Sequence, residues 1–341
     1  MKKLCAALLA LAIAGGCSTE LPTLHVFTWA DYIKPGLVEQ FEKENSCRVV
    51  IDTFDSNESM YAKLKAGATG YDVVFPSSYM ARTMWRQGLL RELDRKQVPN
   101  LSLIDPDYLK IALDKDMKYS APYMLTLTGV AYLKSRVSNL EASWSVFDRA
   151  DLKGRMTMLN DMRETIGAAL KFLGYSLNTT NERELAAARD VVIRWKKNLA
   201  KFENEQYKTG LASAEFLLVQ GYSGDILQVQ AENQDIAFAV PREGTSIACD
   251  DMVILKDSRQ RGLAHRFINF MHVPKVAAEN TEFVRYLCPN QASYPLLSPE
   301  TRSNPTLFPS TEVRQHAEVI TDLGEDNAKY TKVWDEIKAA Q

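Results

Sequence analysis

The sequence contains little that would support catalysis by a metal ion or an activated nucleophile. Its four histidines are scattered, at positions 25, 265, 272 and 316. It has no HExxH, GxSxG, P-loop or GxGxxG motif, and none of its cysteines has the spacing of a zinc site. We therefore expect a protein that has no cofactor and no bound metal, and that is not an enzyme.

An excess of charge of one sign is also missing. The 41 basic and 43 acidic residues give a formal net charge of −2, and no basic run with interleaved aromatic residues occurs. Because nucleic-acid-binding proteins present basic surfaces of that kind, this balance argues against nucleic acid as a partner.

Cysteine is scarce, with five residues in the whole chain. Cys5 and Cys17 lie in the N-terminal segment, which leaves Cys47, Cys249 and Cys288 and allows at most one disulfide. Each of these three has apolar neighbours in the sequence, so we expect buried free thiols. Pairing of Cys249 with Cys288 stays open at this stage.

The N-terminal segment has the features of an export signal. Lys2 and Lys3 precede an apolar stretch, residues 4–14, that is too short to span a bilayer. The following "AIAGGC" leads to Cys17 and resembles a bacterial lipoprotein signal, in which residues 1–16 are removed and the Cys17 thiol carries lipid. The alternative is an ordinary secretory signal with an incidental cysteine. Both predict an exported protein, and the first predicts a periplasmic protein anchored to a membrane by lipid.

The length of the chain and the alternation of apolar runs with amphipathic stretches indicate two α/β units. A chain of 341 residues favours two domains. Strands are predicted at 24–28, 47–54, 71–77, 155–159 and 235–241, and helices at 34–45, 56–67, 79–88, 161–174, 182–200 and 327–340. This order predicts parallel-rich sheets flanked by helices. Because no Gly/Ser linker occurs, we expect strands near 123–130 and 241–255 to cross between the units.

Aromatic and acidic residues follow several predicted strands, at the ends where ligands bind in such sheets. The rings are Trp29, Tyr32, Tyr79, Tyr222 and Tyr286, and the acids are Asp31, Asp161, Glu164, Asp225 and Asp250. A buried ammonium group needs a carboxylate partner, whereas an aromatic face attracts cations and covers methylene groups. Since these motifs contain one arginine, Arg163, and no lysine, they favour a slender ligand with several positive charges, such as a linear polyamine.

The acids also have structural interpretations. Asp161 and Glu164 have the spacing of a capping box. Asp31 is placed to cap the helix that starts near Pro35. Asp250, next to Asp251, is compatible with a solvated loop pair.

Three further alternatives remain open from the residues alone. Trp29 and Tyr32 are also compatible with core aromatics, and "GYSGD" with a simple turn. Paired carboxylates are compatible with a glycosidase. The same architecture also accommodates another small cationic solute, or a surface protein with no transport role.

The motifs "VFTWADYI", "SNESMYAKL", "YDVVFPSSY", "NDMRE", "QGYSGD" and "YLCPNQAS" together resemble the bacterial spermidine/putrescine-binding proteins, the extracytoplasmic receptors of polyamine ABC importers. The resemblance covers essentially the whole mature chain. It implies the two-lobed periplasmic-binding-protein (type II) fold, an α/β fold with a hinge of crossing strands. We assign lobe 1 to residues 17–125 and 250–297, and lobe 2 to residues 126–249 and 298–341. It also implies a monomer whose partners are a small-molecule polyamine and the permease and ATPase of the importer.

The resemblance implies roles for individual residues. Trp29 and Tyr32, Ser77 and Tyr79, Asp161 and Glu164, Tyr222, Asp225, Asp250 and Tyr286 match family binding positions, and the pair Asp161 and Glu164 falls where members grip a terminal amine. The role of Asp31 is left open between contact with an amine and helix capping. Ala248 and Ile320 depart from the family, since many members carry a large ring at the first position and some carry Gln at the second. The preference between putrescine and spermidine therefore stays undecided.

Overall fold

The computed structural model describes residues 21–340, so the predicted signal at 1–16 and the predicted lipidation site Cys17 lie outside the described residues. Its strands are β1 (Thr23–Thr28), β2 (Arg48–Thr53), β3 (Val73–Val74), β4 (Ser120–Leu133), β5 (Met156–Met158), β6 (Leu199–Phe202), β7 (Leu218–Tyr222), β8 (Ile236–Ala239), β9 (Ser246–Ile254) and β10 (Glu318–Val319). Its helices are α1 (Pro35–Asn45), α2 (Asn57–Lys65), α3 (Ser78–Arg86), α4 (Pro106–Leu109), α5 (Met162–Phe172), α6 (Glu182–Lys196), α7 (Tyr207–Ala212), α8 (Ser223–Glu232), α9 (Arg261–Met271), α10 (Pro274–Val284), α11 (Pro299–Ser303), α12 (Thr311–His316) and α13 (Asn327–Ala339).

The strands run in the order β2-β1-β3-β9-β4-β7-β5-β6. β1 pairs in parallel with β2 and β3, and β5 pairs in parallel with β6 and β7. β9 is antiparallel to β3 and β4, and β4 is antiparallel to β7. Each end of the order is therefore a parallel βαβ arrangement, as the alternation predicts, while the strands that carry the chain between the two ends are antiparallel.

β4 is the strand that joins the two parallel groups. Its first half, residues 120–127, pairs with β9, and residues 128–133 pair with β7 and β8. Gly129 lies where β8 approaches this strand, because a Cβ atom there would be 2.5 Å from the Phe238 ring and 2.7 Å from the Ala239 carbonyl oxygen. The crossing predicted near 123–130 is β4, and the one near 241–255 is β9.

Two main hydrophobic cores lie on either side of this crossing. One is built by buried residues from 24–124 and 249–288 and contains the perpendicular pair Phe41 and Phe267, with ring centroids 5.0 Å apart. The other is built by residues from 130–236 and 330–337 and contains Trp144 and Trp195. Burial of such large apolar side chains is the main source of stability for each half.

Two predicted elements differ from the structure. The helix predicted at 182–200 ends at Lys196, and β6 follows it as a short strand beside β5. The predicted strand at 71–77 has ladder pairing only at Val73 and Val74, because the chain then turns directly into α3. Cys47, Cys249 and Cys288 are buried free thiols, so the possible Cys249–Cys288 bond is not formed.

Candidate ligand-binding site

A cavity of about 440 Å³ lies between the two cores. Every residue that the sequence singled out lines it: Trp29, Asp31, Tyr32, Ser77, Tyr79, Asp161, Glu164, Tyr222, Asp225, Asp250 and Tyr286. The fold brings these side chains together because β1, β3, β5 and β7 all end at this cavity. Whether each residue contacts a ligand stays a proposal.

Asp250 lies in β9 at the centre of the site and is 8% exposed. Its two carboxylate oxygens accept hydrogen bonds of 2.6 Å, one from the Tyr32 hydroxyl and one from the Ser77 hydroxyl. Burial raises the pKa of Asp250 to about 6, although both hydroxyls favour the charged form. The solvated loop pair is therefore the wrong interpretation, since Asp251 is also buried, at 3% exposed.

Asp161 has two roles, one for each carboxylate oxygen. Oδ1 caps α5 by accepting from the backbone N–H groups of Arg163 and Glu164, at 2.9 and 3.0 Å. Oδ2 accepts from the Tyr222 hydroxyl at 3.3 Å. The capping interpretation is thus correct for Asp161, and the same residue also lines the cavity.

Glu164 does not complete a capping box, because its Oε2 atom accepts a 2.6 Å hydrogen bond from Ser246 instead. Burial, and then the charge of Asp161, raise the pKa of Glu164 to about 7. Burial also raises the pKa of Asp161. Within the described residues, neither carboxylate has an ion pair with a lysine or an arginine. Arg163 also lines the cavity, and its charge lowers the pKa of each of these carboxyls against the effect of burial.

The rings at the end of β1 serve both the core and the cavity. Tyr32 is 6% exposed and packs edge-on against Tyr123 and Tyr286, with centroid distances of 5.3 and 5.5 Å. Trp29 packs against Phe54 at 4.4 Å. Tyr32 and Trp29 also line the cavity, so packing in the core is compatible with the predicted role in ligand binding.

Asp225 lies in the first turn of α8, directly after β7, so "GYSGD" is a strand-to-helix junction. Its carboxylate accepts hydrogen bonds from the hydroxyls of Tyr286, at 2.9 Å, and Tyr207, at 2.5 Å. Gly224 allows Tyr286 to pack here, because a Cβ atom at that position would be 2.3 Å from the Tyr286 ring.

Asp31 has a φ of 53° and its side chain is 74% exposed at the edge of the cavity. It does not cap α1, whose N-cap is Lys34 and which has no side-chain capping hydrogen bond. The capping interpretation of Asp31 is therefore wrong.

Sequence reasoning missed three charged residues that line the cavity, Asp55, Glu205 and Lys208, and the neighbouring Glu58. Lys208 lines the cavity from α7, although the short motifs contain no lysine. Glu58 accepts a 3.2 Å hydrogen bond from the Tyr79 hydroxyl, and burial followed by the charge of Asp161 raises its pKa to about 7. Glu58 belongs to the motif "SNESMYAKL", which was a usable signal, whereas the sequence around Lys208 gave none. Ala248 and Ile320, the two departures from the family, also line the cavity.

Among residues 21–340, no group of three or more His, Cys, Asp or Glu side chains is placed to hold a metal ion. In the same part of the chain, no helix has both the length and the apolar character needed to cross a membrane.

The profile of the bacterial extracellular solute-binding proteins matches residues 36–309. This chain belongs to that family. Two relatives match this solute-binding protein along its length. The putrescine/cadaverine-binding protein of Pseudomonas aeruginosa is 37% identical over 353 residues, and the match covers 99% of each chain. The spermidine/putrescine-binding periplasmic protein of Escherichia coli is 32% identical over 340 residues, covering 99% of this chain and 98% of the relative.

Solved structures of two solute-binding proteins show the same fold. The spermidine/putrescine ABC transporter substrate-binding protein PotD of Streptococcus pneumoniae has a TM-score of 0.80 at 31% identity and covers 93% of this chain and 98% of its own. The TpPotD lipoprotein of Treponema pallidum has a TM-score of 0.83 at 35% identity and covers 92% and 99%. The solute-binding protein described here therefore has the two-lobed type II fold, as the sequence predicts.

Proposed function

We propose that this protein captures a linear polyamine between its two lobes and delivers it to the permease and ATPase of an ABC importer. The observation that carries the proposal is a set of carboxyl groups in one cavity lined by aromatic rings: Glu164 and Asp250, which are buried, and Asp161, which is half-buried. The ligands named for the two relatives, putrescine, cadaverine and spermidine, support it.

The raised pKa values of Glu164 and Asp250 fit such a ligand. Carboxylates that burial has stripped of water hold an ammonium group strongly, because the cation replaces the lost hydration. We propose that one terminal amine binds at Asp161 and Glu164, and that Asp250 binds another amine near the hinge. Trp29, Tyr32, Tyr79 and Tyr222 then cover the methylene groups, at about 0.8 kcal/mol for each group buried.

Residues from both cores contribute to the site, with Tyr32 on one side and Glu164 on the other. A ligand that bridges them favours the closed form, because binding and closure are thermodynamically linked. The proposed division of the chain is lobe 1 at 17–125 and 250–297 and lobe 2 at 126–249 and 298–341. The two hydrophobic cores, which meet at β4, support this division.

The test is titration calorimetry with putrescine, cadaverine, spermidine and spermine, together with thermal melts in the presence of each amine. We expect saturable binding of at least one of them, with a rise in melting temperature. The absence of heat and of a melting shift with all four would refute the proposal. A neutral diol of the same length, butane-1,4-diol, is the control and is not expected to bind.

We also propose that the protein is a monomer, that it is not an enzyme, and that a lipid on Cys17 anchors it in the periplasm. The lipoprotein from Treponema pallidum supports the anchor. Labelling of cells with an alkyne-tagged fatty acid is expected to mark the unaltered chain and not Cys17→Ser. Turnover of a chromogenic glycoside that is lost in Glu164→Gln would contradict the non-enzymatic role.

A further inference from the structure

Lys208 places a fixed positive charge inside the candidate site. Its ammonium nitrogen is 3.7 Å from Asp31 Oδ2 and 3.8 Å from Asp225 Oδ1, and its side chain is 18% exposed. Asp225 lies with Lys208 on one side of the cavity, in α8 and α7, whereas Asp31 follows β1 on the other. The lysine therefore lies between acids from opposite sides of the cavity and places one positive charge beside both.

Four acids of the cavity, Asp161, Glu164, Asp225 and Asp250, fall into two groups when their partners are compared, and Asp31, Asp55 and Glu205 also line it. Asp225 has the nearby ammonium group of Lys208 and two tyrosine hydroxyls. Among residues 21–340, the hydrogen-bond partners of Asp161, Glu164 and Asp250 are hydroxyl and backbone N–H groups.

The other base of the cavity, Arg163, does not change this division. Its guanidinium donates to the Thr321 carbonyl oxygen at 2.9 Å and to Asn178 Oδ1 at 2.8 Å, and so it is held by backbone and amide groups and not by the acids of the cavity. The Lys208 ammonium group therefore lies 3.8 Å from Asp225, whereas Arg163 acts on Asp161 and Glu164 through space, where its charge lowers their pKa values against the effect of burial.

We propose that Lys208 is a specificity-determining residue, which takes the place of one ammonium group beside Asp225 and so selects ligands with two positive charges over those with three. This inference rests on the proposed function, because it names which polyamines the same site takes. A diamine places its two ammonium groups at Asp161 with Glu164 and at Asp250. The additional ammonium of a triamine must then lie close to Lys208, where like charges repel in a partly desolvated cleft.

The test compares the ratio of spermidine affinity to putrescine affinity in variants of Lys208. Lys208→Met keeps the length and the apolar stem but removes the charge, and we expect it to raise this ratio at least tenfold. Lys208→Arg keeps the charge and is expected to retain the unaltered ratio within about threefold. Lys197→Met is the matched control, because Lys197 is an exposed lysine at the end of α6, outside the cavity.

Calorimetry at pH 8 supplies both affinities for each variant, and a thermal melt checks that each variant is folded. A ratio within twofold of the unaltered value in Lys208→Met would overturn the role of Lys208 while leaving polyamine binding intact. Equal rises in Lys208→Met and Lys197→Met would overturn it as well, because net charge alone would then explain the change. If the unaltered protein binds none of the four amines, the proposed function fails, and this inference fails with it.

Discussion

Replacement of Asp250 by asparagine tests the electrostatics of the site with the smallest change in shape. The carboxylate is 8% exposed and holds two hydroxyl groups at 2.6 Å, so it has little water to screen a bound ammonium group. Asparagine keeps the size of the side chain and removes its charge. One of its two ends becomes an N–H donor, so either Tyr32 or Ser77 loses its acceptor or must rotate, at a cost of about 1 kcal/mol.

The expected loss of binding free energy follows from the charge pair that the Asp250 carboxylate forms with a bound ammonium group in a site with little water. Breaking one partner of a buried, hydrogen-bonded charge pair costs about 2–5 kcal/mol. Since about 1.4 kcal/mol corresponds to a tenfold change, this loss lowers the affinity by roughly 30-fold to several thousand-fold. The assay is titration calorimetry at pH 8, above the pKa of about 6 that burial gives Asp250, so that the unaltered carboxylate is charged.

Asp251→Asn is the matched control. Asp251 is the next residue of β9, is also buried, at 3% exposed, and does not line the cavity. We expect Asp251→Asn to bind putrescine with an affinity within about threefold of the unaltered protein. Near-native affinity in a folded Asp250→Asn variant would refute the central role of Asp250. An equal loss in both variants would show that the effect is structural.

Three further predictions follow from buried groups and close contacts. Affinity for putrescine is expected to fall as the pH is lowered from 8 to 5, because burial raises the pKa values of Glu164 and Asp250 to about 7 and about 6, and protons then compete with the amines. Gly224→Ala is expected to weaken putrescine binding at least tenfold in calorimetry, because the new Cβ atom forces the Tyr286 ring to move. Phe267→Ala is expected to lower the free energy of unfolding in urea by about 3–5 kcal/mol, because it removes a fully buried ring from the first core.

The sign of the pH effect on stability is opposite to that on binding. Glu164 keeps its proton in the folded chain at pH values where the unfolded chain, with a pKa near 4.5, has lost it. This group therefore stabilises the ligand-free protein near pH 5, and that contribution is lost as the pH rises through about 7. Because the lowered pKa of buried His272 acts in the opposite direction, the comparison is with Glu164→Gln: the same dependence of melting temperature on pH in this variant and in the unaltered protein would contradict the assignment.

Controls separate the other two predictions from general effects of substitution. Gly36→Ala lies in α1, where a Cβ atom would have nothing within 4 Å, and is expected to leave putrescine binding unchanged. Equal weakening by Gly36→Ala and Gly224→Ala would show that the contact with Tyr286 is not the cause. Phe267→Ala is expected to keep the spermidine-to-putrescine ratio, and a changed ratio would contradict its assignment to the core alone.

Much of the cavity could be predicted because its residues follow strands. Asp161 follows β5 by three residues and Tyr222 is the last residue of β7, and the rule that ligands bind at strand ends brings them together. Ser77 was predicted as a site residue only through the resemblance to the polyamine-binding family, because a serine before a helix is an ordinary capping residue. Its contact with Asp250 depends on β3 and β9 lying side by side, which no local pattern encodes.

The residues that sequence reasoning missed depend on tertiary packing. Lys208 lies in a six-residue helix with no apolar signature of a site, and only the packing of α7 beside α8 brings it to Asp225. Glu58 stands in the first turn of α2, where an acid is common for local reasons. β6 was not predicted because it has four residues and follows a long helix. So short a segment shows too little alternation of apolar and polar residues to distinguish a strand from the end of a helix.

The path of the chain through β9 also sets an order for folding. Val73 and Val74 of β3 pair with Val253 and Ile254, so the N-terminal sheet is incomplete until the whole middle of the chain has been made. The second core is built from residues 130–236, together with the C-terminal helix α13, which packs on it. Contacts distant in sequence form slowly. We therefore expect the pairing of β3 with β9 to form late in folding, and until then the β9-facing edge of β3 is a strand edge at which another chain can pair.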